Sequence, residues 1–215
     1  KQLKSASTPP ADENVSEGRG SRRAASGTPE RAARQEPRPP DEYAPDSSPW
    51  TEGHRRLFEH LCNTTDHRPA TIDGLAPLYQ AIAHGCQAGL HEKAQDDVYI
   101  DRILRGLGYD GYYSWKKLGA ISADLSAIAC FFDRPWCQLS SNLRTGDQAW
   151  LFATASYVLR HSGRLVESAE PLRASLEMRI EQDDWRNAAA GAGNLSELDL
   201  TLGEVSAAVA TGEQS

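Results

Sequence analysis

The sequence predicts an all-α fold: a right-handed solenoid of antiparallel helix hairpins preceded by a disordered segment. Three observations predict it. Ser162-Gly163-Arg164-Leu165-Val166-Glu167-Ser168-Ala169 is answered by Leu202-Gly203-Glu204-Val205-Ser206-Ala207-Ala208-Val209 at an offset of 40 residues. A period of roughly 34 to 47 residues marks helical-repeat arrays, whose units cannot bury their apolar faces alone. Beyond residue 49 the apolar residues recur at helical spacing. Residues 1–49, by contrast, hold eight of the twelve prolines, and their large apolar or aromatic residues are only Leu3, Val15 and Tyr43. A stretch of that composition cannot offset its chain entropy by burial.

The elements follow in order. Residues 50–61 read as a helix with Trp50, His54, Leu57, Phe58 and Leu61 on one face. Asn63-Thr64-Thr65-Asp66 breaks it with residues that favour turns. Thr71-Ile72-Asp73 is placed to cap a second helix over 74–89, striped by Leu75, Leu78, Tyr79, Ile82 and Cys86. A third helix opens at Leu90 and runs through Val98, Tyr99, Ile103 and Leu104. Here a fainter repeat aligns residues 88–94 with 163–169. Gly106-Leu107-Gly108-Tyr109-Asp110-Gly111 is expected as a flexible loop, and 115–132 as one helix stopped by Asp133-Arg134-Pro135-Trp136. In the clear repeats Leu151, Ala155, Val158 and Ser162 stripe the first helix; Leu165, Ala169, Leu172 and Leu176 stripe the second. Leu195, Leu198 and Leu202 belong to the next copy. Pro171 should bend its helix, and Gly191 and Gly193 should weaken theirs by ~1 kcal/mol each.

Charge and cysteine usage narrow the function. The eight Lys and Arg of residues 1–49 balance eight Asp and Glu, so the net charge of −7 falls on the remainder. That argues against direct nucleic-acid contact, which needs a basic stripe. Arg102, Arg105, Lys116 and Lys117 form a basic island diluted by Asp101 and Asp110, expected as a solvated face. Four cysteines inside apolar patterns, no secretory signal and no bilayer-length apolar run suggest a reduced, cytoplasmic setting without a membrane partner.

Catalytic and cofactor chemistry finds little support. The Gly106-x-Gly108-x-x-Gly111 spelling matches a dinucleotide fingerprint, which works only between a strand and a helix; here a helix precedes it. His60, Cys62 and His67, or His84, Cys86 and His91, lack the paired spacing of a metal site. Glu167, Glu170 and Glu177 read as a solvated helix face. No catalytic, cofactor or metal residue is therefore assigned. The residue types that anchor peptides are rigid aromatics and Arg. Tyr157, Arg160 and Asn194, on the first helices of the repeats, are the candidate protein-binding residues, with Trp150 read chiefly as packing.

Four landmarks occur in order: Glu52-Gly53-His54-Arg55-Arg56-Leu57-Phe58-Glu59-His60-Leu61; Ala76-Pro77-Leu78-Tyr79 through Ala83-His84-Gly85-Cys86-Gln87-Ala88-Gly89; Ser114-Trp115-Lys116-Lys117-Leu118-Gly119-Ala120; and Asn194-Leu195-Ser196-Glu197-Leu198 with Leu202-Gly203. Together, over about residues 50–215, they resemble the arm and tetratricopeptide-repeat region of bacterial STAND-type (NB-ARC-like) signalling ATPases. Composition makes 1–49 a disordered Pro/Ser-rich linker, and the resemblance implies an irregular helical arm at 50–138 and tetratricopeptide-like repeats at 143–215. It further implies a non-catalytic scaffold or sensor that binds a protein or peptide and restrains an upstream ATPase module in a longer chain. The long Pro-rich insert and the 106–113 loop depart from the family's pattern. The alternative is the regulatory region of a helical-repeat transcriptional activator whose DNA-binding domain lies outside this chain.

Overall fold

The computed structural model describes residues 48–213, so the expected disordered linker lies almost wholly outside the described residues. Helix α1 (Pro49–Thr64) starts where Pro49 fixes the first turn and the Ser48 hydroxyl accepts from the Thr51 amide at 3.1 Å. Helix α2 (Ile72–Gln87) is capped as expected, Thr71 accepting from the Gly74 amide. The two pack together through Phe58. A Cβ on Gly85 would stand 2.9 Å from the Phe58 ring and 3.1 Å from Ala94, so this corner requires glycine. The apolar face of α1 is narrower than its pattern suggests: Phe58 is buried, whereas Trp50 and Leu57 are exposed.

One turn of helix, α3 (His91–Lys93), passes directly into a π-helical stretch, Ala94–Leu104. π geometry usually occurs as a single-turn bulge; here it lasts 11 residues. It buries Ala94, Gln95, Val98, Tyr99, Arg102, Ile103 and Leu104. Lys116 and Lys117 are exposed, as expected of a solvated basic face, but Arg102 is buried. Its guanidinium donates to the carbonyls of Cys62, Thr65, Asp66 and His67 at 2.9–3.0 Å. Helix ends leave carbonyls without intrahelical partners, and one distant side chain satisfies that of Cys62 at the end of α1 together with three in the segment after it. Arg105 continues the clamp, donating to the Arg68 and Pro69 carbonyls while lying 3.3 Å over the Tyr113 ring.

The single helix expected over 115–132 is three pieces. Helix α4 (Tyr113–Lys116) stops before Gly119, which adopts φ 62°, and α5 (Ile121–Ala129) follows. The chain then forms an antiparallel hairpin, β1 (Phe132–Arg134) with β2 (Gln138–Leu139). Pro135 and Trp136 therefore turn a hairpin rather than simply end a helix. This pair is the strand content among the described residues, and the chain is otherwise mostly helical.

Four helices complete the fold: α6 (Thr145–His161), α7 (Leu165–Glu181), α8 (Trp185–Leu202) and α9 (Val205–Gly212), each packed on the next. Their corners are built alike. Gly163, Asp183 and Gly203 sit at 20-residue intervals with φ of 76°, 56° and 85°. The amide of the next residue closes back on the carbonyl five positions earlier, at 2.8–2.9 Å: Arg164 to Leu159, Asp184 to Arg179, Glu204 to Asp199. Gly89 makes the same corner, with Leu90 bonded to Gly85. Five residues past each left-handed position stands a small buried residue: Ala94, Ser168, Ala188 and Ala208. The structural match thus sets Gly89 against Gly163, one residue out of register from the alignment of 88–94 with 163–169.

The interior has two parts. A large cluster runs from Phe58 and Leu75 through Tyr99 and Phe131 to Leu151, Ala155 and Val158 of α6. A smaller one, Ala169, Leu172, Leu176, Ala188, Ala192, Leu195 and Leu198, lies between α7 and α8. None of the described helices is long and apolar enough to cross a membrane.

Candidate ligand-binding groove

Where α4 meets α6, α7 and α8, the surface folds into an open groove of ≈ 640 Å³. All three residues singled out from the sequence line it: Tyr157 and Arg160 from α6 and Asn194 from α8. Trp150 lines it too, and packs on buried Tyr99 with ring centroids 6.2 Å apart. Small residues, Ala153, Ala190 and Gly191, keep the groove open.

Spacing within α6 to α9 could not reveal the contribution of the residues that precede them. Tyr112, Trp115, Tyr157 and His161 form a continuous ladder of rings, stacked at centroid distances of 4.7, 4.8 and 3.9 Å. Two rungs come from α4 or its N-terminal flank, and two from α6. Tyr157 and His161 are one helical turn apart, and the His161 ring nitrogen reaches the Tyr157 carbonyl at 2.8 Å. Stacking of this kind contributes beyond simple area burial, so the groove wall is a rigid surface.

The lining carries charge of one sign. Lys116, Arg160 and Arg179 face the groove together with His161, and no carboxylate lines it. The Lys116 ammonium donates to the Tyr109 carbonyl at 2.9 Å and lies 5.3 Å over the Tyr112 ring. Arg179 is tied down, with Asp184 at 2.8 Å and Ser175 at 3.4 Å. Arg160 is held more loosely, by one 3.3 Å contact to exposed Glu197. Ser156 places a buried hydroxyl here without a hydrogen-bond partner. The side chain of exposed Asn194 makes no hydrogen bond among the described residues.

Behind the ladder lies a fully buried carboxylate, Asp124. It accepts from Ser114 Oγ at 3.2 Å and Tyr79 Oη at 3.3 Å. The Tyr99 hydroxyl and Trp115 indole N–H turn to the same group without closing a bond of good geometry. Burial outweighs all four donors and pushes the Asp124 carboxyl up to about 6. Trp115 thus faces the groove with its ring and the buried acid with its nitrogen.

The other chemical candidates are dispersed. Among the described residues no three metal-ligating side chains gather. His84 pairs instead with His54, Nδ1 to Nδ1 at 2.8 Å, while Cys86 is buried and all four thiols are free. Glu167 is an exposed partner of Arg164. The 106–111 glycines follow a π-helix rather than a strand, and a Cβ on Gly111 would fall onto the Gly106 carbonyl. No protein-family model, curated protein or solved structure matches this chain.

Proposed function

We propose that this chain is a non-catalytic, tetratricopeptide-like scaffold whose groove receives a segment of another protein, within a cytoplasmic signalling ATPase of the bacterial STAND type. The observation that carries the reading is the groove itself. Tyr157, Arg160 and Asn194 line one concavity with a rigid aromatic wall and unpaired polar groups. Rigid aromatics and Arg in a partly enclosed depression are the residues that dominate protein-binding energy. The recurring corners support a helical-repeat description, since each helix pair presents its stripe to the next. The upstream ATPase rests on the sequence resemblance alone.

Photo-crosslinking tests the binding role directly. A photoreactive side chain at Asn194 should capture partner proteins in cells expressing the full-length protein. The same group at exposed Glu177, which does not line the groove, should not. Equal capture from both positions, or none from Asn194, would overturn the groove assignment.

A further inference from the structure

We infer that the occupant of this groove is an extended acidic peptide segment, its carboxylates set against Lys116 and Arg160; this rests on the groove being the binding site proposed above. The first argument is charge segregation. The chain carries a net charge of −7, yet the groove lining holds three cations and a histidine with no carboxylate. A concave wall without Asp or Glu in its lining, on an acidic protein, is set apart in charge from its surroundings. Complementary potentials of this kind select partners and speed encounter.

The second argument separates the cations by what they already do. Arg179 is committed to Asp184 and Ser175 and positions α7 against α8. Lys116 has no carboxylate partner among the described residues, and donates to a carbonyl of its own loop. Arg160 shares a single long contact with Glu197, which is 70% exposed and easily displaced. Lys116 and Arg160 are therefore the charges open to a ligand.

The third argument comes from groups without partners. A buried hydroxyl left without a hydrogen bond costs about 1–3 kcal/mol, and Ser156 leaves one at this wall. Together with the Asn194 amide it supplies neutral donors beside the cations, as a chain of carboxylates and peptide carbonyls needs. The ladder adds to this. Trp115 and Tyr157 each stack against two neighbouring rings, so their faces are largely engaged. Ring edges carry partial positive charge, and they favour oxygen-rich groups over a further stacked ring. A nucleic-acid strand offers anions as well, but binds by long basic tracks and base stacking. Here only two lightly held cations stand on an acidic protein, with the ring faces occupied.

The test is selection of random 12-residue peptides displayed on phage against the 215-residue chain. Selected peptides should be enriched severalfold in Asp and Glu and depleted in Lys and Arg. The double reversal Lys116→Glu, Arg160→Glu should weaken them by about tenfold or more, with unchanged helicity by circular dichroism. Should that pair disturb folding, Lys116→Gln with Arg160→Gln serves, with a smaller loss that high salt reproduces. Binding should also change tryptophan fluorescence, and Trp115→Phe should remove most of that change. Selected peptides that are apolar or basic and still compete at Asn194 would sink the acidic assignment while leaving the scaffold reading intact. The same holds if a 12-nucleotide oligothymidylate displaces them. If no peptide is enriched and Asn194 captures nothing in cells, both readings fall.

Discussion

The elements before residue 140, the arm of this comparison, and α6 to α9, its repeats, share the left-handed corner but otherwise hold their helices together by different means. In the arm, side chains distant in sequence converge: Arg102 on carbonyls 35 to 40 positions away, Tyr79 on Asp124 across 45. Its core holds large, fully buried side chains, among them Tyr99, Phe131, Leu75 and Ile82. The repeats use one local device, a left-handed corner every 20 residues followed by a small buried residue, around a core of Ala and Leu. Both regions leave large apolar residues exposed, Trp50, Leu57 and Tyr109 in the first and Val166, Ile180, Trp185, Leu200, Val205 and Val209 in the second. The arm is thus specified by particular long-range pairs, and the repeats by a pattern. Substitutions should therefore be costly and specific in the arm, and small and graded in the repeats.

The largest expected effect is at Arg102. Arg102→Ala strands four carbonyls at the end of α1 and the loop behind it. Removing a buried, fully hydrogen-bonded cation of this kind costs on the order of 3–5 kcal/mol. Arg102→Lys should recover little, because an ammonium cannot reproduce the planar fork. Urea denaturation gives the magnitude. Hydrogen exchange gives the location: amides of residues 62–70 should lose protection while those of α8 keep theirs, and equal losses in both would erase the contrast between the regions.

That contrast also explains what could be read from the chain. The caps at Ser48 and Thr71, the stripes of α2, α6 and α7, and the glycine corners are local, and their signals stand in the sequence. The corner at Asp183 escapes because Asp occupies the left-handed position where Gly is expected, a place Asn and Asp tolerate better than most residues. The π-helix shares its apolar spacing with an ordinary helix, and the 132–139 hairpin is too short to alternate. Arg102 resembles a surface cation until α1 is folded over it. The groove divides in the same way: Tyr157, Arg160 and Asn194 belong to the repeat pattern, whereas Tyr112, Trp115 and Lys116 join it only through tertiary packing of α4 on α6.

An effect of middle size belongs to the buried acid. Asp124 ordinarily titrates at 3.8, and burial raises it to about 6, so folding favours its neutral form. Below pH 3.8 the group is neutral in both states. As pH rises from there to about 6 the unfolded chain ionises first, and the folded state loses stability on the order of 3 kcal/mol. Tyr79 and Tyr99, which face it, are pushed upward and stay neutral throughout. Asp124→Asn should therefore gain on the wild type by about that amount between pH 3.5 and 7, as measured by urea unfolding at each pH. A difference independent of pH would mean the carboxylate ionises normally. The indole of Trp115 faces this group, so the gain should appear with a shift in tryptophan emission.

The smallest effects sharpen the contrast at α8. A Cβ at Gly193 meets nothing within 4 Å, and one at Gly191 meets Leu176 at an ordinary 3.7 Å. Each replacement by alanine should stabilise the helix, by up to about 1 kcal/mol. The two positions differ in one respect: Gly191 lines the groove and Gly193 does not. Gly193→Ala should raise the thermal midpoint and leave the capture of selected peptides unchanged. Gly191→Ala should raise the midpoint similarly but weaken capture, because its methyl group narrows the floor beneath Asn194. If both variants bind equally well, the ligand does not reach the floor between α6 and α8, and contact is confined to the rim at Lys116 and Arg160.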